Sequence, residues 1–375
     1  MKVALVSIRF DTRGGSERRT YQLARGLIGA GHEVEIFAAH VLDMDLDAKV
    51  TIVPMMHGPS FVKVMSFTRN VGRVLGGRKD IDVIHNQIRP FTEGVVTVGG
   101  GCHAEYMERT GSVLGYINPL DRVILNMEKS RYTHAGRVTV ITNSELARQG
   151  ILRHYPIPPE RVHVAYNGVD TDKFHPAKVS ATRAVVRARH GLGDGPVALF
   201  VGAGFRRKGL ETVIKAVAVA AGMANDIKHL KLLVVGKDEP GPFARLAEKL
   251  GVGDRVIFAG PTSRPEEYYG ACDIFTLPTV YDPFSNATLE AMACGMPVIT
   301  SRDNGVSEVI EDGESGYLLR KHDDHVGLAS SLAYLACEKA RRAAGAQARL
   351  AAESLTWEKT LAKTLEVYRL HTGVS

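Results

Sequence analysis

The chain has 375 residues, enough for two or three domains of ordinary size. Its composition, 45% hydrophobic and 23% charged, is that of a globular protein and excludes a disordered or fibrous chain. A formal net charge of +6 favours acidic partners (nucleic acid, an anionic membrane or a phosphorylated substrate) without choosing among them.

Lys2 is followed by only six residues, Val3 to Ile8, before Arg9, too few for a signal-peptide core. The run Val3–Ser7 reads as a strand. The segment after it, through Asp11 to Gly14, Gly15 and Ser16, opens a helix-period stretch over Ser16–Ala30. Two glycines before a helix start let a ligand approach the backbone where the helix dipole favours negative charge. A plain turn with a capped helix reads the same residues equally well. A strand at Glu33–Ala39 precedes Asp43-Met44-Asp45-Leu46-Asp47, a D-x-D pattern whose carboxylates suit a divalent cation. Nothing nearby supports a metal, and a solvated loop is the better reading. After a strand at Val50–Met55, residues Phe61–Leu75 put apolar side chains on one helical face and Lys63, Arg69 and Arg73 elsewhere. This is an ordinary surface helix packed on the core or, alternatively, an interfacial helix on an anionic membrane.

Strands follow at Asp82–Asn86 and Gly94–Gly100, then Gly99-Gly100-Gly101-Cys102-His103. Glycines ahead of a histidine at a strand end suggest a side chain delivered to a site, although a structural histidine is commoner. Further strands at Val138–Asn143 and Val162–Asn167 lead to a break at Asn167-Gly168-Val169-Asp170. The four cysteines, Cys102, Cys272, Cys294 and Cys337, form no C-x-x-C pair, so neither a zinc site nor a disulfide framework is expected.

A fresh strand at Val197–Gly202 runs into Arg206-Arg207-Lys208, three consecutive cations between a strand and the helix-period stretch Leu210–Met223. Cations ordinarily favour the C-terminal end of a helix, so their place before one points to an anion held between them. A diphosphate fits, each charge-assisted contact contributing about 1.5–3 kcal/mol, with a solvated charge run as the bland alternative. The glycines match neither a P-loop nor a dinucleotide fingerprint: Leu210 and Glu211 stand where Lys and Ser/Thr belong, and the third glycine comes too late. Strands are expected at Lys231–Gly236, Val256–Gly260, Ile274–Pro278, Pro297–Ser301 and Gly316–Leu319, with a helix at Phe243–Leu250.

Between two of these strands lies the most informative stretch, Asp282-Pro283-Phe284-Ser285-Asn286 through Glu290 to Gly295 and Pro297. Ser285 or Asn286 caps a short helix that Gly295 ends. Its first turn is expected to offer backbone N–H groups to an oxygen-rich, partly anionic ligand, with Asp282 beside it. Glu290, with seven residues between it and Asp282, suits a vicinal diol such as a ribose. Asn304-Gly305-Val306 offers another glycine-before-helix junction that would complete the anion cradle. His322-Asp323-Asp324-His325 reads as a helix-start cluster rather than a metal site. The last segment, Leu355–Leu370, reads as an amphipathic helix with Trp357, Leu361, Leu365 and Tyr368 on one face.

Alternating strands and helices imply parallel sheets covered on both faces. Thirteen candidate strands exceed one compact open sheet, so two α/β domains facing across a cleft are expected, at 1–170 and 171–355, the helix at about 356–375 packing back on the first. No apolar run approaches the roughly 18 residues of a spanning helix. A cytoplasmic protein, possibly peripheral on the inner face of the plasma membrane, is the expectation.

The assembled motifs resemble retaining GT-B glycosyltransferases of family 4 over nearly the whole chain. Gly14-Gly15-Ser16-Glu17 with Gly31-His32-Glu33-Val34 is similar to that family's opening. Arg207-Lys208-Gly209 looks like its diphosphate loop, and Asp282 through Glu290 its E-x7-E motif. Cys102–Tyr106 and Arg161–Asp170 are closest to the lipopolysaccharide core glucosyltransferase type. This chain departs from the pattern at Asp282, one methylene shorter than the usual Glu, at Ala203, where the family's common arginine leaves the work to Arg207 or Arg206, and at Ser285, often glycine.

The resemblance implies a GT-B architecture of two Rossmann-like doubly wound domains, the first for the acceptor and the second for the nucleotide sugar. It implies a hexose moved with retention from a nucleotide diphosphate sugar to a saccharide or glycolipid acceptor such as lipopolysaccharide core. Asp282 and His103 would be the catalytic residues. Gly14, Gly15, Arg207, Lys208, the backbone N–H groups of Phe284, Ser285 and Asn286, and Glu290 would bind the donor. Fixed cations would replace a metal, so no cofactor is expected, and nucleic acid is not an expected partner. A sugar-nucleotide epimerase and a non-catalytic nucleotide-sugar-binding protein are the alternatives.

Overall fold

The computed structural model describes residues 1–12, 14–42, 45–87, 93–111, 118–133, 138–223 and 226–373. These residues form two compact units, Met1–Gly168 with Trp357–Ser375, and Val169–Thr356.

The first unit is built on β1 (Lys2–Phe10), β2 (Glu33–Val41), β3 (Lys49–Ile52), β4 (Val83–Asn86), β5 (Gly94–Val98), β6 (Val138–Thr142) and β7 (Val162–Val164). All pairings are parallel, in the order β3-β2-β1-β4-β5-β6-β7. The strands are near-continuous apolar runs because helices cover both faces. Those helices are α1 (Gly15–Gly29), α2 (Ser60–Leu75), α3 (His103–Thr110), α4 (Pro119–Thr133) and α5 (Glu145–His154). Phe67, Val71 and Leu75 of α2 pack on Ala4, Val6 and Phe37, so this helix has its apolar face in the core.

In the second unit β8 (Val197–Val201), β9 (Lys231–Val235), β10 (Val256–Gly260), β11 (Ile274–Leu277), β12 (Val298–Ser301) and β13 (Tyr317–Leu319) pair in parallel in the order β10-β9-β8-β11-β12-β13. Helices α6 (Pro176–Ser180), α7 (Arg183–Arg189), α8 (Leu210–Ala221), α9 (Gly241–Lys249), α10 (Pro265–Ala271), α11 (Asn286–Ala293), α12 (His325–Ala336) and α13 (Glu338–Glu353) belong to this unit. Asp324 caps α12 through Gly327 N–H at 2.8 Å, the helix-start role expected of the His322–His325 cluster. Both sheets reverse their winding once, at β1/β4 and at β8/β11. Ligands of open α/β sheets sit at the strands' carboxyl ends beside such a reversal.

The final helix, α14 (Trp357–Thr372), belongs to the first unit. Its buried face is centred on Thr360, Thr364, Val367 and Tyr368, with Leu361 and Leu365 at the margin, a rotation from the expected face. The threonines can be buried because their hydroxyls have partners: Thr360 donates to Tyr166 O at 2.7 Å and Thr364 to Thr360 O at 2.8 Å. Among the described residues no helix is long and apolar enough to cross a membrane.

Beneath α14, His85 is sealed in the core with Nδ1 2.6 Å from the Tyr368 hydroxyl and Nε2 2.8 Å from Thr97 Oγ1. Burial, reinforced by the Arg19 charge, lowers its pKa to about 3, so the folded chain holds a neutral imidazole. The unfolded imidazole has its ordinary pKa near 6.5. The folded value is depressed, so the stabilisation is complete above pH 6.5 and is lost as pH falls toward 3. We predict that His85→Gln flattens the fall in unfolding free energy over that window by up to about 1.4 kcal/mol per pH unit, read from denaturant titrations of both proteins at pH 7, 6, 5 and 4. An equal pH slope in the two proteins would refute the assignment.

Candidate functional site

In the second unit, β8 and β11 are hydrogen-bonded neighbours, Ile274 opposite Ala198. The loops that leave their carboxyl ends, 202–209 and 278–285, therefore start side by side. They are joined by Val280 N–H and the Thr279 hydroxyl, which donate to Arg207 O at 2.8 and 3.1 Å. Contact this close requires glycine at 209. Its φ is +79°, and a Cβ there would lie 2.0 Å from Pro278 O. The other end of the first loop is pinned by Asp238, whose carboxylate accepts from Gly204 N–H and Phe205 N–H, each at 2.8 Å at its shortest.

The pinned loop delivers its cations to one place. Arg207 Nη1 donates to Tyr281 O at 2.8 Å and lies 3.4 Å from Asp282 Oδ2, and Lys208 Nζ lies 3.5 Å from the same oxygen. Of the two arginines, Arg207 is the one brought to Asp282, and Arg206 is exposed. The Lys208 side chain is 12% exposed and that of Asp282 11%, in a setting where solvent screens poorly.

Asp282 is fixed on every side. Its N–H donates to Asp303 O at 3.0 Å, its carbonyl accepts from Gly305 N–H at 2.8 Å, and its Oδ1 accepts from Phe284 N–H at 3.3 Å. Asn304, fully buried, ties the surrounding segments together. Its Oδ1 accepts from Ser285 N–H at 3.1 Å and Val306 N–H at 3.3 Å, while its Nδ2 donates to Thr300 Oγ1 at 3.0 Å. Ser285 caps α11 through Thr288 N–H at 3.3 Å. These bonds correct the expectation that the Phe284 and Ser285 amides, and the junction at Gly305, present open N–H groups. All three are engaged within the chain: the Asp282 carboxylate takes the Phe284 N–H, the Asn304 side chain the Ser285 N–H, and the Asp282 backbone carbonyl the Gly305 N–H. Asn286 opens α11 itself.

Glu290, 8% exposed, sits one turn further along α11 and accepts from the Tyr269 hydroxyl at 2.9 Å. Asp238, Asn304 and Tyr269 were not signalled as site residues by the sequence. Asp238 and Tyr269 lie in separate βα segments with no motif around them, while Asn304 stood in the flagged junction and its capping role there was legible.

The remaining candidates belong to the first unit. Gly14 is the N-cap of α1 with no side-chain cap, and a Cβ on it would fall 2.1 Å from Glu17 Oε2. Gly15 and Ser16 are exposed in the first turn. His103 starts α3 and is buried, with Nε2 2.9 Å from Asp121 Oδ1 and its N–H donating to the fully buried Glu128 carboxylate at 3.0 and 3.1 Å. Asp121 and Glu128 are both on α4, two turns apart. In the D-x-D pattern Asp43 and Met44 lie outside the described residues, and Asp45 accepts from the Tyr21 hydroxyl. Glu105, Glu108 and His154 come within metal-binding distance of one another, but Arg109 and Arg153 already engage the Glu105 carboxylate, which makes the group an ion-pair network.

Residues 13–173 match the family model for Glycosyltransferase Family 4, and residues 183–351 that for Glycosyl transferases group 1. The chain is 31% identical to a D-inositol 3-phosphate glycosyltransferase of Thermomonospora curvata over 62% of its own length and 57% of the relative's. It thus spans little more than half the length of such curated relatives. The crystal structure of WaaG, a glycosyltransferase involved in lipopolysaccharide biosynthesis, superposes with a TM-score of 0.83 at 22% identity, covering 99% of this chain and 100% of that one. Anabaena HepE in complex with UDP-glucose superposes with a TM-score of 0.73 at 18% identity, covering 98% and 99%. These likenesses fix the fold as GT-B.

We predict that Gly209→Ala destabilises the second unit by at least about 2 kcal/mol, because the left-handed backbone and the Pro278 carbonyl both oppose a Cβ. Urea unfolding followed by a probe in the second unit checks this; an unchanged midpoint would show that the two loops do not need their close contact.

Proposed function

The chain belongs to the family-4-like glycosyltransferases of GT-B fold, and on that footing we propose that it moves a hexose, with retention, from a nucleoside diphosphate sugar to a cell-envelope saccharide or glycolipid. The observation that carries this reading is the convergence of Arg207 and Lys208 on one point at the β8/β11 reversal, in the same unit as Glu290. Breaking the sugar–phosphate bond leaves a diphosphate with growing negative charge. Two cations already in position stabilise that charge without reorganising, the task a divalent metal performs elsewhere. Glu290, oriented by Tyr269, accepts hydrogen bonds from the ribose, and Asp282 stands beside the cations where the hexose joins the diphosphate. The retaining course follows the family.

One neighbour described with UDP-glucose supports this donor chemistry; another is described in lipopolysaccharide biosynthesis, and the curated relatives are named as D-inositol 3-phosphate glycosyltransferases. Lipopolysaccharide and inositol phosphate are both polyhydroxylated, and the first unit is proposed to take the acceptor, with His103, braced by Asp121, as its sugar-binding histidine. Because such acceptors are often lipid-linked, the outward side of α2 is proposed to rest on an anionic membrane. Met65, Arg69 and Arg73 are exposed there, as is nearby Met56.

Lys208→Ala is expected to lower turnover about 100- to 1000-fold with the circular dichroism spectrum and unfolding midpoint unchanged. Turnover equal to that of the parent would remove the basis of the proposal. For the membrane contact, Arg69→Glu with Arg73→Glu should abolish co-sedimentation with phosphatidylglycerol vesicles and leave that with phosphatidylcholine vesicles unaltered; parent-like sedimentation with the anionic vesicles would exclude this face.

A further inference from the structure

We propose that Asp282 acts as a built-in competitor for the diphosphate: its carboxylate holds Arg207 and Lys208 in position when the site is empty and lowers the affinity of the site for the anion that binds beside it. This rests on the reading of the Arg207–Lys208 pair as the diphosphate site. Both cations approach a single oxygen, Asp282 Oδ2, at 3.4 and 3.5 Å, while Oδ1 is held by Phe284 N–H. The backbone of Asp282 is fixed by bonds from its N–H and to its carbonyl with the 303–305 segment, so the carboxylate stays tethered close to the cations when an anion arrives. The shorter side chain matters here. Asp282 sits within reach of the Phe284 amide on its own loop, which keeps the negative charge back against the cations.

A fixed carboxylate beside a bound diphosphate repels it across a poorly solvated gap. The same carboxylate keeps two like charges close together in the empty site, which they would otherwise leave for water. The site therefore stays assembled between turnovers while its grip on the departing nucleoside diphosphate is weakened. Removing the charge and keeping the shape separates these roles. Asparagine at 282 retains an oxygen for the Phe284 amide and the backbone bonds to Asp303 and Gly305, yet no longer repels an anion.

The test uses inorganic pyrophosphate, which needs no assumption about the base or sugar, titrated calorimetrically into the full chain at low ionic strength with EDTA present. Asp282→Asn is expected to bind pyrophosphate about tenfold more tightly than the parent, Asp282→Glu to bind within about twofold of it, and Arg207→Ala to bind more weakly. The Asn advantage should shrink as salt is added. Unchanged or weaker binding by folded Asp282→Asn, with Arg207→Ala still impaired, would overturn the competitor role and leave the diphosphate site standing. Equal binding by the parent and Arg207→Ala, or no binding by any of the four, would overturn the site and the inference together.

Discussion

Two positive side chains on adjacent residues, brought to one carboxylate oxygen, are the interaction around which the loops after β8 and β11 are arranged. Arg207 and Lys208 repel each other, and nothing in an isolated loop would hold both on the same side. The chain opposes that repulsion by three means. The Arg207 guanidinium is bonded to the Tyr281 carbonyl, the Arg207 carbonyl is bonded to Val280 and Thr279, and Asp282 supplies the opposite charge. All three come from the loop after β11, and that loop is adjacent only because β8 and β11 pair at the reversal of the sheet. Topology thus converts two sequence segments some 75 residues apart into one electrostatic unit.

The rigidity of that unit is set one layer deeper. Asn304 is fully buried and uses both ends of its amide, accepting from the Ser285 and Val306 N–H groups and donating to Thr300. A buried amide left without these partners would be costly, so their presence specifies one arrangement of the 282–288 and 300–306 segments. Asp282 is carried by that arrangement. Its backbone joins the 303–305 segment as an isolated parallel bridge, an extension of the sheet beyond the end of its strands.

Much of this was legible in the sequence, and the part that was not has a common cause. The β-branched runs marked strands that the structure contains, and the glycine-flanked cations and the Asp282–Glu290 spacing marked two loops that the structure brings together, because those features are local. Strand order is not local. No residue near Val197 or Ile274 declares that β8 and β11 are neighbours, and that pairing makes the two loops one site. Asp238 and Tyr269 escaped for the same reason: each acts on a segment more than 20 residues away, through one hydrogen-bonded side chain in an unremarkable stretch. The α14 face was misjudged because hydrophobicity alone undervalues threonines whose hydroxyls bond backbone carbonyls.

The helix starts show why the expected open amides were not found around Phe284. A helix N-terminus attracts negative charge, and it makes no distinction between a ligand and the protein's own carboxylate. At α3 the protein has supplied its own: Glu128, fully buried, accepts from the His103 amide and fixes the histidine's backbone at the helix start. At α11 the Ser285 hydroxyl and the Asn304 amide do the same with neutral groups. The starts of α1 and α8 differ: each has glycine at the N-cap, Gly14 and Gly209, without a side-chain cap, and each follows the strand at which its sheet reverses. Near both, a carboxylate of the chain stands where an anion would be drawn, Glu17 over Gly14 and Asp282 against Lys208. The anion preference of a helix start is therefore a property of the backbone, and the side chains around it decide whether that preference is satisfied internally, left open, or opposed by a fixed carboxylate of the chain.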